Sequence, residues 1–122
     1  VPGADGPLKD GLLTVEQLDE GLRLRLCLQG ELDLSNAKTA EVALAEAFAS
    51  EKQVLVDLGQ LEFLDSTGIA LLVDTLQRRD AERLSFLPSK SSGVRRLLSM
   101  TGLDRRMVIS TTPAPGPALP MV

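Results

Sequence analysis

The segment QVLVDL, residues 53–58, is short, rich in β-branched residues and almost wholly apolar. A strand with one face in water alternates apolar and polar positions; this one does not, so it reads as a central strand covered on both faces. Shortly after it the period changes. Ile69, Leu72, Val73 and Leu76 fall at i, i+3, i+4 and i+7, the spacing of a helix with one buried stripe. A doubly buried strand leading into an amphipathic helix belongs to an α/β sheet with helical crossovers, and it restricts the rest of the chain to completing that sheet.

The remaining segments fit. LRLRLCL, residues 22–28, alternates as a half-buried strand does and, with LLTVEQL at residues 12–18, reads as a hairpin. Ser35 offers an N-cap for a helix whose Ala37, Ala40, Leu44, Ala47 and Phe48 share one stripe. RLSFLP, residues 83–88, reads as a strand stopped by Pro88. SKSSG, residues 89–93, reads as a polar loop before a helix with Val94, Leu97 and Leu98 inward and Gly102 as its candidate C′ residue, and RMVI, residues 106–109, as a last strand. The predicted order is β-β-α-β-α-β-α-β: an α/β domain with a single mixed, mainly parallel sheet of about five strands and three main helices packed on it. The domain spans residues 12–110. Residues 1–11, VPGADGPLKDG, have neither the basic start nor the apolar middle of a signal peptide and are expected to be a flexible leader. Residues 111–122, TTPAPGPALPMV, hold four prolines and are expected to be a flexible tail.

Composition removes several chemistries. There is no His and only one Cys, Cys27, so neither a metal cluster, a disulfide nor an imidazole-activated nucleophile is expected, and no cofactor is implied. The net charge of −4, with no Trp or Tyr and three Phe, leaves little to track phosphates or stack bases, so nucleic acid is not an expected partner. No apolar run approaches the ~20 residues of a membrane span. No membrane partner is expected either, and the default location is cytoplasmic.

The junction between the central strand and its helix reads DSTG, residues 65–68. Sites in open α/β sheets lie beyond the carboxyl ends of strands, where helix N-termini favour anions. An exposed hydroxyl there can be a nucleophile, a carrier attachment point, a phosphorylation site or a helix cap. A hydrolase would need a G-x-S-x-G elbow and a base, and neither is present. An acyl carrier would be helical throughout, with Leu where Thr67 stands. No G-x-x-x-x-G-K-[ST] phosphate loop occurs. By residue type alone, Asp65 or Ser66 as a cap is the commonest reading; modification of Ser66 or Thr67 stays open beside it.

GELDLSNA, then VLVDLGQLEFLDSTGIALLV, then VRRLLSMTGLD, in this order and spacing, resemble the STAS domain, and specifically the small stand-alone anti-sigma-factor antagonists of bacteria. The resemblance covers residues from about 12 to 109. It implies a non-enzymatic regulator that binds an anti-sigma factor, itself a serine-protein kinase, and so frees a sigma factor. Phosphorylation of Ser66, the match to the serine of D-S-[ST]-G, is implied to end the contact, and a phosphatase to restore it. Asp33 matches the acidic residue that closes G-E-L-D and is implied to lie close to the serine. Asp33, Asp65, Ser66, Thr67 and Gly68 are then the expected partner-binding residues, with Gly68 letting another backbone approach the first helical turn. The resemblance also admits a STAS scaffold, or a nucleotide- or lipid-binding module, that is not phosphorylated.

Overall fold

The computed structural model describes residues 6–110. The tail expectation for residues 111–122 therefore lies outside the described residues, as do residues 1–5 of the expected leader. In chain order the elements are β1 (Leu8–Asp10), β2 (Leu13–Asp19), β3 (Arg23–Leu32), α1 (Ala37–Ala49), β4 (Gln53–Asp57), β5 (Leu61–Leu64), α2 (Ser66–Leu76), β6 (Leu84–Leu87) and α3 (Ser92–Met100). Short 3₁₀ turns lie at Ala81–Arg83 and Leu103–Arg105. The strands form one sheet of six in the order β1-β2-β3-β4-β6, with β5 also paired to β3. β1–β2 and β2–β3 are antiparallel, whereas β3–β4, β3–β5 and β4–β6 are parallel.

The central strand behaves as its composition requires. Val54, Leu55 and Val56 of β4 are all fully buried, each contributing about 1.5–3 kcal/mol of apolar burial. Val54 and Val56 alternate onto the face that also carries Leu24, Leu26 and Leu28 of β3 and Leu84 and Phe86 of β6. Against that face pack Ala40, Leu44, Ala47 and Phe48 of α1, Leu71 and Leu72 of α2, and Val94 and Leu98 of α3. The opposite face carries Arg25, Cys27 and Asp57. Arg25 Nη2 pairs with Asp57 Oδ2 at 2.6 Å, and Cys27 is buried beside them. Burial first, and then the Asp57 carboxylate, push the Cys27 thiol up to about 11, so the thiolate is scarce at neutral pH.

Four features depart from the sequence expectations. β1 lies inside the stretch read as a leader, pairing Leu8 with Val15 and Asp10 with Leu13; three residues were too few for a periodic signal. β5 lies inside the presumed connection before DSTG. It forms because β4 pairs only with the first half of the long β3, up to Cys27, and the remaining edge from Gly30 to Leu32 is taken by Leu61, Phe63 and Leu64. Residues 106–109 do not form a strand: only Ile109 bridges Phe86, since the chain reaches the sheet edge directly from the Leu103–Arg105 turn, with Met107 buried in the helix-side core. Finally, Ser35 does not cap α1. Its hydroxyl turns back to Asp33, and Asn36 occupies the cap position.

Two arginines close the other end of α1. Arg83 donates to the carbonyls of Lys52 and Phe48 at 2.6 and 2.9 Å and pairs with Asp80 at 2.6 Å, while the Arg78 guanidinium stacks 4.0 Å from the Phe48 ring centroid. Hydrogen bonds from Arg78 and then Arg83 hold the Asp80 carboxyl down to about 2, from an ordinary 3.8. Because the folded value is the lower one, this contribution is fully present above about pH 4 and disappears as pH falls through about 2. The Asp80 carboxyl resonance should titrate near pH 2 in the native chain and move toward 3.8 in Arg78→Ala; a wild-type midpoint near 3.8 would contradict the paired geometry.

Candidate functional site

Asp65 lies between β5 and α2 and has extended backbone angles, as an N-cap requires. Its Oδ1 accepts from the N–H groups of Thr67 at 2.9 Å and Gly68 at 3.1 Å. Its Oδ2 reaches across to another segment and accepts from the Leu34 N–H at 3.1 Å. The Asp65 N–H donates in turn to the Leu32 carbonyl at 3.2 Å. One carboxylate therefore satisfies orphan donors of a helix start and ties the loop after β3 to it. The anion that a helix N-terminus attracts is already present, as Asp65 itself.

Ser66 is thereby left without a structural task. It is the first residue of α2 and is exposed, and its hydroxyl has no hydrogen-bond partner among the described residues. The choice left open between Asp65 and Ser66 as cap is decided for Asp65. Thr67, half-buried, gives its N–H to Asp65. Gly68 is buried: a Cβ there would overlap Leu64 Cδ1 and stand 3.1 Å from Leu32 Cγ. A close approach that demands glycine thus comes from the chain's own β3 and β5 side chains. Gly68 seats the helix on the sheet and so fixes where Ser66 emerges.

Asp33 belongs to the loop that Asp65 holds. Its Oδ1 accepts from Ser35 N at 2.9 Å and Ser35 Oγ at 2.6 Å. Asn36, 1% exposed, accepts from the Asp33 N–H at 3.0 Å and donates to the Glu31 carbonyl at 2.9 Å. Two apolar side chains border this ground, Leu34 at 77% and Phe63 at 47% exposure. Sequence reasoning missed Leu34 and Asn36. An apolar residue inside the polar turn DLSN was the available signal for the first; nothing in the spacing marked the second. Among the described residues no group of His, Cys, Asp and Glu side chains could hold a metal ion, and no helix is long and apolar enough to cross a membrane.

A mixed sheet with helices on one face, whose exposed serine opens a helix at a strand end beside a second acidic loop, is the architecture of the STAS class. The STAS domain family model matches residues 15–114, and the chain belongs to that family. A relative, the anti-sigma-F factor antagonist RsfB of Mycobacterium tuberculosis, is 31% identical over 101 residues, covering 82% of this chain and 83% of that one. Among solved structures, an anti-sigma factor antagonist from Mycobacterium paratuberculosis superposes with a TM-score of 0.74 at 25% identity, covering 83% of this chain and 87% of its own. The anti-sigma factor antagonist SpoIIAA in its unphosphorylated form gives a TM-score of 0.63 at 20% identity, covering 80% of this chain and 88% of its own, a likeness of fold.

Proposed function

We propose that the chain is an anti-sigma-factor antagonist: its Ser66 face binds an anti-sigma factor and frees a sigma factor, and phosphorylation of Ser66 by that partner, acting as a serine kinase, ends the contact. The observation that carries the reading is the division of labour at DSTG. Asp65 does the capping, which leaves the adjacent Ser66 hydroxyl exposed and unengaged. A serine held that way is open to a kinase, and its modification leaves the helix start intact. The relatives named as antagonists support the kind of partner.

The switch follows from charge. A phosphate would add about −1.5 to −2 charges at neutral pH. It would arrive where Asp65 already occupies the positive helix end, with Asp33 and the exposed Glu62 nearby in the chain's two adjoining segments. No basic side chain ion-pairs with any of these three among the described residues. A partner surface packed on a neutral hydroxyl, Leu34 and Phe63 then meets a hydrated dianion that is costly to bury. Such a cycle needs a phosphatase to reset it and a cytoplasmic location shared with the anti-sigma factor.

The test is intact-mass analysis of the chain after incubation with ATP and anti-sigma kinases from the same genome, with peptide mapping. A single phosphate on Ser66 is expected. Phosphate confined to another residue would overturn the site. Binding without any labelling would turn the domain into a constitutive antagonist or scaffold.

A further inference from the structure

The loop bearing Asp33 and Leu34 is held from two sides. Asp65 holds it from α2, through the Leu34 N–H. Asn36 holds it from the other side, and its Nδ2 also lies 3.5 Å from the Asp10 carbonyl. Asp10 makes a second and shorter contact with the same region: its carboxylate accepts from Thr39 Oγ1, in the first turn of α1, at 2.5 Å. Asp10 is the last residue of β1, and β1 is secured to β2 by the register Asp10↔Leu13. Residues far apart in sequence, 10, 36, 39, 33–34 and 65, therefore make one continuous path of hydrogen bonds that ends at the turn carrying Ser66.

We propose that Asp10, and β1 through it, is a positioning element of the Ser66 site, bracing Asn36 and Thr39 so that the Asp33–Leu34 turn is presented at a fixed place beside the serine. Asn36 is the link. Its side chain is buried, and each of its amide atoms is committed, so a shift of Asp10 cannot be absorbed by exchanging one partner for water. Asp10 itself is at the rim, where it touches neither Ser66 nor Asp65 and acts only through the start of α1. The end of the stretch that reads as a flexible leader is on this view a support of the recognition surface. The consequence for a partner rests on the reading of Ser66 given above; the brace itself does not.

Amide NMR of the whole ¹⁵N-labelled chain tests the brace with no partner present. Asp10→Ala keeps the backbone carbonyl that meets Asn36 but removes the carboxylate that anchors Thr39, freeing β1 to shift against the start of α1; the Asp33 and Leu34 amides should then exchange roughly 3- to 10-fold faster. Their proton shifts, which report their hydrogen bonds, should move with them. The Val54 and Val56 amides in β4 should keep their wild-type rates. Asp10→Asn retains an oxygen that can accept from Thr39 and should restore both signals. Wild-type shifts and rates at Asp33 and Leu34 in Asp10→Ala would overturn the proposal. Equal acceleration at Val54 and Val56 would overturn it too, since Asp10 would then only stabilise the fold. Neither result bears on whether Ser66 accepts phosphate, so the two readings fail separately.

Discussion

Ser66→Ala is expected to keep the fold and the partner complex while abolishing phosphate incorporation, and Ser66→Asp to weaken the complex on the order of 100-fold, about 3 kcal/mol. The alanine variant should be silent structurally because the Ser66 hydroxyl supports nothing: the cap is Asp65, whose bonds to Thr67 and Gly68 do not involve the serine side chain. Alanine at the first helical position is also well tolerated. The aspartate variant adds one charge next to Asp65, at a helix end whose dipole is already answered, so little local attraction offsets the cost of burying it against a partner. Calorimetry on both variants with the cognate anti-sigma factor reads the two effects. Equal affinity for Ser66→Asp and wild type would count against the charge mechanism. Loss of binding in Ser66→Ala would show that the hydroxyl itself is gripped.

Gly30→Ala is expected to cost about 2–4 kcal/mol of stability, a fall in Tm on the order of 10–20 °C for a domain of this size. Two independent penalties meet there. Gly30 has a φ of +95°, a conformation that side chains rarely adopt, and a Cβ would collide with the Leu12 carbonyl oxygen while standing 3.2 Å from the Leu12 carbonyl carbon. That carbonyl accepts from the Glu31 N–H at 3.0 Å, just where the β3–β5 register shifts. Relieving the collision means parting β2 from β3. Gly21→Ala is the matched control: φ is +86°, yet nothing stands within 4 Å of its added Cβ, so only the backbone strain of about 1–3 kcal/mol remains. Thermal melts giving equal losses for the two would show that the Leu12 contact carries no weight.

The parts of the fold that were legible in the sequence are those with enough residues for a period to declare itself. The alternation from Leu22 to Leu28 and the unbroken apolar run of β4 identified the two longest parallel partners, and the α2 and α3 stripes placed their helices. β1 and β5 escaped because three and four residues cannot establish a period, and because both exist to complete edges that longer neighbours create. RMVI misled for the opposite reason. Its β-branched composition suits a strand, but Met107 is drawn into the helix-side core, leaving one bridge at Ile109. At the site, the motif placed Asp65 and Ser66 at the start of a helix, where the structure has them, but spacing could not reveal that one carboxylate serves two segments. That fact depends on the Leu34 N–H, a backbone donor with no sequence signature. Gly68 shows the same limit: its need for glycine comes from Leu32 and Leu64, side chains whose approach only the folded packing specifies.

A single residue, Asp65, separates the last residue of β5 from the first residue of α2. The junction consequently has no slack, and the sheet dictates the helix's angular phase. Each residue turns an α-helix by about 100°. An insertion between Leu64 and Asp65 could be accommodated only by unpairing β5. An insertion between Asp65 and Ser66 would swing the serine about a quarter-turn from its outlook and bring a side chain, in place of Gly68, down onto Leu32. Sequence drift around this site can change what the surface displays, but not how many residues lead up to it.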